Sequence, residues 1–274
     1  MKYKKLVRQI ESLPPLLDTA DIVRRLYSDG MHNVNLSRLT LAIESDALLS
    51  ANILKMINSP FYGFSRKITS VSQAVTLFGS ELIFALVVRF SIQTNIVANL
   101  RAYGVSNEKF NEICHLQSRL VSEWYSKIEP RFATFLAPLA LIMESGKLVF
   151  AKEIAMSSGI KEFSIGLKSA KNSTLYEHEL FGTSSYYVSG LLFEHWNLNE
   201  HYIKILKGLD YEHENIEELN QEINILDVVR NAINVKEQFT DDSLANAAEI
   251  VDDMGHNVDD FLRVAKNLKK MRNI

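Results

Sequence analysis

Apolar side chains recur at helical spacing along most of the chain. In the stretch Asp46–Gly63 they follow an i, i+4, i+7, i+8 pattern, which places them on one face of a helix. Asp46 can cap the start of this helix, and Pro60 cannot continue it, so the pattern predicts a helix with a definite start and stop. The apolar set is Leu49, Ile53, Met56 and Ile57.

The same periodicity predicts helices through the rest of the chain. A capping box of Ser70 with Gln73 begins a helix that Gly79 ends, and the all-apolar run 82–88 predicts a buried central helix. Pro138 is expected to kink or restart the helix over 132–142. No alternating strand pattern or internal repeat is found, so the sequence predicts an all-α fold. Further helices are predicted at about 18–28, after Asn35, at about 106–128, after Gly182, and two or three within 216–270.

Composition narrows the class of protein. The 274 residues are 47% hydrophobic and 23% charged, which is typical of a soluble globular protein. The single cysteine, Cys114, excludes an internal disulfide framework, and the apolar run 82–88 is shorter than the ~20 residues of a membrane span. No signal peptide is recognised at the start of the chain. We therefore expect a cytoplasmic protein without a membrane partner.

Charge is distributed unevenly around the net value of −3. Residues 211–274 carry 14 acidic and 7 basic side chains, against 19 and 23 in residues 1–210. This asymmetry either marks a separate C-terminal subdomain or reflects a solvated helical face. The modest net charge makes nucleic acid an improbable partner.

Several motifs in the first third of the chain resemble one family. Asp46-Ala-Leu, Ile53-Leu-Lys and the run Asn58–Gly63 resemble the central signature of the HDOD family, the HD-related output domains of bacterial signalling proteins. Ser70–Val75 and Leu77–Gly79 continue the order. The resemblance implies an HD-like multi-helix HDOD domain over 1–210. Its N-terminal helical lobe, at about 1–104, would pack on an HD-like lobe at about 105–210, and residues 211–274 would form a helical extension packed on this body.

The resemblance also locates a degenerate metal site. HD phosphohydrolases bind a divalent ion through a histidine, a His-Asp pair and a late aspartate, and the ion activates water. Here Met143 stands where the histidine of the pair would be, and Glu144 where the aspartate would be. The resemblance therefore implies no catalytic residue, no metal and no other cofactor. The remaining positions are His115, half of a His-Ser pair; Ser185, in place of a histidine; and Leu209 and Asp210, in place of a His-His pair.

The end of the Asp46 helix allows two interpretations. Asn58 and Ser59 can satisfy the helix end and hold the following loop through local hydrogen bonds. Alternatively, the exit loop recognises a partner protein. Its residues are Pro60, Phe61, Tyr62 and Gly63, followed by Phe64, Arg66 and Lys67.

Three functions remain open from the sequence. The first is a non-catalytic bacterial signalling module that acts through contacts with a protein of unknown identity. The second is a divergent metal-dependent phosphohydrolase, or a pocket for a nucleotide such as a cyclic dinucleotide. The third, nucleic-acid binding, rests only on basic residues near the start of the chain.

Overall fold

The computed structural model describes residues 2–27, 33–59, 62, 66–210 and 217–272. Within these ranges the chain forms helices and no strand, with one isolated bridge between Ile233 and Gln238. The predicted all-α class is confirmed. The α-helices are α1 (Lys2–Glu11), α2 (Asp18–Leu26), α3 (Leu36–Glu44), α4 (Ala47–Ile57), α5 (Val71–Asn95), α6 (Asn107–Tyr125), α7 (Pro130–Ile142), α8 (Gly146–Met156), α9 (Ile160–Ser169), α10 (Ser173–Phe181), α11 (Ser185–His195), α12 (Glu200–Gly208), α13 (Asn220–Ala232), α14 (Asp241–Asp253) and α15 (Val258–Arg272).

The chain divides into two compact units. The smaller consists of Pro14–Asn95, and the larger combines Met1–Leu13 with Ile96–Ile274. Helix α1 thus packs on α8, α10 and α11 of the larger unit. The sequence predicted boundaries near residues 104 and 210. These are boundaries between lobes of a family domain, not between compact units, and they stay a prediction.

Local hydrogen bonds set the helix ends of the smaller unit. The Asp46 carboxylate accepts a hydrogen bond from the backbone N–H of Leu49 at 2.9 Å, as expected of a cap at the start of α4. The hydroxyl of Ser70 accepts one from the N–H of Gln73 at 3.2 Å at the start of α5. These caps fix where the helices begin, so their apolar faces meet in register.

Helix α5 bends at a single glycine. Gly79 has φ 78° and ψ 162°, which is outside the helical region and strained for any residue with a Cβ. The segment predicted as a separate helix over 82–88 is the buried second half of α5, since Ile83 to Val88 are almost fully buried. The prediction that Gly79 ends the first helical segment agrees with this break.

The larger unit contains two closely packed groups of helices. Helix α6 packs on α7, and α11 packs on α8 and α12. The C-terminal helices belong to the same unit, because α13 packs on α6, α7 and α14, and α15 packs on α6. Helix α7 runs through Pro138 without a restart, contrary to one of the two outcomes predicted for that proline.

Two segments are long and apolar enough to be compared with membrane spans. They are Val71–Asn95 and Pro130–Met156, and 61% and 83% of their most apolar windows are buried inside the protein. Buried core helices of soluble proteins meet the same criterion, so the finding is weak support for a membrane segment.

Candidate functional site

The candidate site begins at the junction of α7 and α8. A 3-10 turn, Met143–Ser145, separates the two helices, and α8 starts at Gly146. The Ser189 hydroxyl donates to the Met143 carbonyl and accepts from the Gly146 N–H, both at 2.7 Å. A Cβ at position 146 would lie 1.9 Å from the Ser185 carbonyl oxygen, so only glycine permits this approach of α8 to α11.

This junction brings a fully buried ion pair into the core. Glu144 and Lys147 lie three residues apart, and the Lys147 Nζ is 2.6 Å from the Glu144 Oε2. The same Nζ donates to the Ser185 hydroxyl at 2.8 Å and lies 3.7 Å from the Glu177 Oε1. The side chains of Glu144, Lys147 and Glu177 have no exposed surface. We call Glu144, Lys147, Glu177 and Ser185 the buried charge cluster.

Neutral donors orient the two carboxylates of the buried charge cluster. The Gln117 amide and the Tyr186 hydroxyl each donate to the Glu144 Oε1 at 2.8 Å. The Tyr103 hydroxyl donates to the Glu177 Oε1 at 2.8 Å, and the Ser185 N–H donates to the Glu177 Oε2 at 2.7 Å. Because a buried charge is costly unless it is paired and hydrogen-bonded, these contacts compensate for the burial of the two carboxyl groups.

The pKa shifts agree with an ionised pair. Burial alone would raise the pKa of Glu144, but the Lys147 ammonium and hydrogen bonds from Lys147, Gln117 and Tyr186 bring it below its ordinary value. Burial alone would lower the pKa of Lys147, but Glu144 and Glu177 raise it above its ordinary value. Burial, together with the nearby carboxylates, raises the pKa of both Tyr103 and Tyr186, so both phenols stay protonated.

Residues at the end of α13 contact side chains that surround the buried charge cluster. The Gln117 amide also donates to the Ile233 carbonyl at 2.9 Å. The Arg230 guanidinium lies 4.8 Å from the Tyr186 ring centre, and the Lys147 Nζ lies 4.6 Å from the same ring centre. Arg230 is held in place by Asp227, at 2.5 Å, and by the Leu209 carbonyl, at 2.6 Å. The C-terminal residues therefore complete this site.

The positions predicted for a degenerate HD site are only partly brought together. Glu144 and Ser185 meet through Lys147. Asp210 lies in an adjoining polar group: its carboxylate accepts from the Ser184 N–H and hydroxyl, both at 3.0 Å, and is 3.1 Å from the His178 Nε2. The remaining positions, His115, Met143 and Leu209, are buried.

The cation at the centre of this site was not predicted from the sequence. Lys147 follows the Met143-Glu144 pair closely, whereas Glu177 lies 30 residues further along the chain, and no motif implies that Lys147 and Glu177 meet. One signal was available: Glu144 and Lys147 are an opposite-charge pair three residues apart in an otherwise apolar run, which indicates a buried pair. Nothing local indicated Arg230, which reaches the site from α13.

A polar cavity of about 280 Å³ adjoins the buried charge cluster, with Tyr186 in its lining. Its charged lining is balanced, with three cationic and three anionic side chains. A balanced lining offers no net attraction to a phosphate-bearing ligand. The charged residues are Lys171, Arg230, Lys236, Asp227, Glu237 and Glu249.

The candidate partner loop lies in the smaller unit. The Asn58 amide donates to the carbonyls of Leu54 and Ile68, and its oxygen accepts from the Ile68 N–H, all at 2.8 Å. Asn58 therefore joins the end of α4 to the segment before α5, the structural role considered for it. The N–H of Tyr62 donates to the Ser59 carbonyl at 3.1 Å, and its ring lies 4.9 Å from that of Phe78. Pro60, Phe61, Gly63 and Phe64 lie outside the described residues.

Comparison with protein families identifies the chain's family. A model of the HDOD domain matches residues 13–211. The chain belongs to the HDOD domain family. The match confirms the resemblance stated for the Asp46–Gly79 motifs.

Solved structures share the fold at low sequence identity. A candidate signal-transduction protein from Marinobacter aquaeolei VT8 has a TM-score of 0.72 and 17% identity, covering 99% of this chain and 63% of its own. A candidate phosphohydrolase from Shewanella amazonensis SB2B has a TM-score of 0.70 and 17% identity, covering 97% and 93%. An HDOD domain protein of unknown function from Geobacter sulfurreducens has a TM-score of 0.62 and 18% identity, covering 98% and 94%. A comparison with curated protein sequences finds no match.

The residues at this site do not fit the divalent ion of HD phosphohydrolases. Within the described part of the chain, no group of three or more His, Cys, Asp or Glu side chains converges as a metal site. The Met143 thioether is a poor ligand for a hard divalent ion. The position between the Glu144 and Glu177 carboxylates is filled by the Lys147 ammonium. An ammonium cannot activate water as a Lewis acid, so these side chains do not support the hydrolytic step of the HD phosphohydrolases.

Proposed function

We propose that this chain is a non-catalytic regulatory module of bacterial signal transduction that acts in the cytoplasm through contacts with a partner protein. One observation carries the proposal: the Lys147 ammonium, without exposed surface, is held between the carboxylates of Glu144 and Glu177. A site that pairs its own charges in the core has neither an open coordination position nor a group free to activate water. Membership of the HDOD family is consistent with this role.

An assay of phosphodiester hydrolysis tests the non-catalytic part. The purified chain is incubated with bis(p-nitrophenyl) phosphate and with Mg²⁺, Mn²⁺ or Zn²⁺ in turn, and we expect no turnover above that of the metal alone. Glu144→Gln serves as the site variant, and Glu200→Gln serves as the surface control because Glu200 is largely exposed on α12. Turnover that Glu144→Gln abolishes and Glu200→Gln preserves would overturn the proposal.

The loop that follows α4 is the surface proposed to contact the partner. Arg66 and Lys67 are exposed beside it and offer a test that leaves the core unchanged. In cross-linked pull-downs from the native bacterium, we expect Arg66→Glu/Lys67→Glu to lose several-fold of a specifically captured protein. Arg101→Glu/Lys168→Glu makes the same change in charge at exposed positions of the larger unit and should not. Equal capture by both variants would exclude this loop as the contact surface.

A nucleotide-binding role has weaker support. The cavity beside Tyr186 adjoins the site, and its three cations are matched by three carboxylates. A cyclic dinucleotide carries two phosphates and would need a net positive lining or unpaired donors. Thermal shift with cyclic dinucleotides checks this: stabilisation by the ligand that Lys236→Ala removes would favour the alternative.

A further inference from the structure

We propose that the buried charge cluster is a cation site in which the side chain of Lys147 permanently takes the place of a metal ion, and that the same oxygens bind a divalent ion once Lys147 is truncated. This inference goes beyond the signalling role, because it concerns what the oxygens of this site can bind. It rests on three features of the described residues: convergence of oxygens, orientation of the carboxylates and charge.

Oxygen atoms from three helical elements converge on one point. The Glu144 Oε2 comes from the turn before α8, the Glu177 Oε1 from α10 and the Ser185 Oγ from the start of α11. They lie 2.6, 3.7 and 2.8 Å from the Lys147 Nζ. Carboxylate and hydroxyl oxygens are the ligands preferred by hard cations such as Mn²⁺.

Hydrogen bonds from neighbouring side chains and backbone orient both carboxylates, as such bonds orient the ligands of a metal ion. The two neutral donors to Glu144, from Gln117 and Tyr186, both bond its Oε1 and leave its Oε2 to the cation. The Glu177 Oε2 accepts from the Ser185 N–H, and its Oε1 accepts from the Tyr103 hydroxyl at 2.8 Å while lying 3.7 Å from the Lys147 Nζ. Outer hydrogen bonds of this kind fix ligand geometry in metal sites. These contacts do not involve the Lys147 side chain, so truncating it leaves them in place.

Charge also favours a divalent ion at this point. Glu144 and Glu177 supply two negative charges, whereas Lys147 supplies one positive charge at their centre. The second positive charge, on Arg230, lies across the Tyr186 ring and is fixed by Asp227 and the Leu209 carbonyl. With Lys147 shortened to alanine, two buried carboxylates would face a space wide enough for an ion with its water.

A half-buried lysine in the same unit, Lys207, provides a control. The Lys207 Nζ pairs with the Glu194 Oε2 at 2.8 Å and lies 5.7 Å from the Tyr187 ring centre. It therefore makes the same two kinds of contact as Lys147. Its ion pair, however, is 24% exposed on the lysine and 58% on the glutamate. Lys207→Ala removes a lysine, an ion pair and a ring contact without uncovering a buried oxygen site.

The experiment compares Mn²⁺ binding by the wild type, Lys147→Ala and Lys207→Ala. Each full chain is equilibrated with Mn²⁺ and dialysed, and bound metal is counted by elemental analysis and by electron paramagnetic resonance. We expect about one Mn²⁺ per chain for Lys147→Ala, and a thermal midpoint that rises with Mn²⁺ for this variant only. The wild type and Lys207→Ala should retain no stoichiometric metal. Adding Glu144→Gln to Lys147→Ala should weaken Mn²⁺ binding by at least about tenfold.

Every result decides the proposal. If Lys147→Ala folds and binds no more Mn²⁺ than Lys207→Ala, the proposal is wrong, and Arg230 or water has replaced the ammonium. If Lys147→Ala does not fold alone, it is refolded from urea with and without Mn²⁺. Refolding only with the metal supports the proposal, and failure with the metal overturns it. Stoichiometric metal in the wild type would also overturn it. A negative result with Lys147→Ala leaves the signalling proposal untouched, since that proposal depends on the wild-type assay and pull-down.

Discussion

The two compact units satisfy their polar side chains in different ways. In Pro14–Asn95, the side chains of Asp46, Asn58 and Ser70 bond backbone groups no more than 10 residues away. In the larger unit, Lys147 bonds Ser185 across 38 residues, and each carboxylate of its cluster is bonded by side chains from other helices. One unit fixes helix ends locally, and the other joins separate helices through ionised groups.

The difference has an energetic consequence. A cap that is lost leaves a backbone group near solvent, where water can replace the contact, and costs about 1 kcal/mol. A partner that is lost from a buried ion pair leaves an uncompensated charge in the core, and costs about 3–5 kcal/mol. A substitution in the buried charge cluster is therefore expected to cost more than the loss of a single cap.

The largest expected effect follows from removing the buried cation. Lys147→Met keeps most of the side-chain length but leaves Glu144 and Glu177 without their ammonium, so we expect a loss of about 3–5 kcal/mol of unfolding free energy. Both tryptophans, Trp124 and Trp196, lie in the larger unit, so urea unfolding followed by tryptophan fluorescence reports this unit. Lys207→Met, at an exposed ion pair, should cost less than about 1 kcal/mol. Similar losses for the two variants would remove the contrast between buried and exposed ion pairs.

In Lys147→Met, the pH dependence of the contribution that Glu144 makes to stability should change sign. In the wild type the folded pKa of Glu144 lies below its ordinary value of 4.5, so the folded chain binds fewer protons than the unfolded one, and the contribution of Glu144 is lost as pH falls below 4.5. Without Lys147, burial raises that pKa, so lowering the pH neutralises the carboxylate in the folded chain and relieves its penalty. The gap between the wild type and Lys147→Met should therefore begin to narrow above pH 4.5, where Glu144 of the variant takes up a proton, and narrow further below pH 4.5, where the wild type loses the contribution of Glu144. Urea unfolding at neutral and acidic pH measures it, and a constant gap would contradict an ionised Glu144.

The next effect concerns the smaller unit. Asn58→Ala removes one hydrogen bond within the end of α4 and two that join it to Ile68 before α5, and we expect a loss of about 2 kcal/mol in the opening free energy of nearby amides. Hydrogen exchange of the amides in Pro14–Asn95 provides the measurement. Asn231→Ala is the control, because the Asn231 amide bonds only Asp227 in its own helix. Unchanged exchange near Ile68 in Asn58→Ala would show that the tether carries little energy.

The smallest effect is expected at a single cap. Asp46→Ala removes the hydrogen bond from the Leu49 N–H and a longer one, at 3.2 Å, from the Thr19 hydroxyl. Loss of the cap should cost about 1 kcal/mol and raise exchange in the first turn of α4. Asp46→Asn preserves an oxygen acceptor and should recover most of that loss. If Asp46→Asn behaves like Asp46→Ala, the carboxylate acts through its charge rather than as a cap.

Local features of the fold could be predicted from the sequence. The caps at Asn35, Asp46 and Ser70 need only neighbouring residues, and the structure places each at the start of its helix. The break at Gly79 was likewise indicated by a glycine at the end of an apolar pattern. Pro138 shows the limit of such reasoning, because packing of the buried run around it holds α7 together through the proline.

The candidate site could be predicted only in outline. The substitutions at Met143 and Glu144 were visible from the family resemblance, but the partners of Glu144 lie in α6, α8 and α11. No spacing in the sequence brings Glu177 or Arg230 to this point, because their positions follow from the packing of whole helices. A buried lysine is also improbable from composition alone, since lysine is almost never fully buried unless it is paired.

The ammonium at the centre of the cluster also constrains which substitutions the core can accept. A metal site of the HD type would need a ligand at position 143, another at position 185 and the removal of Lys147. Substitution of Lys147 alone would leave two buried carboxylates without their ammonium. Introduction of a histidine alone, at position 185, would place it beside the Lys147 ammonium. Each single substitution is therefore expected to cost folding stability before the three changes are combined.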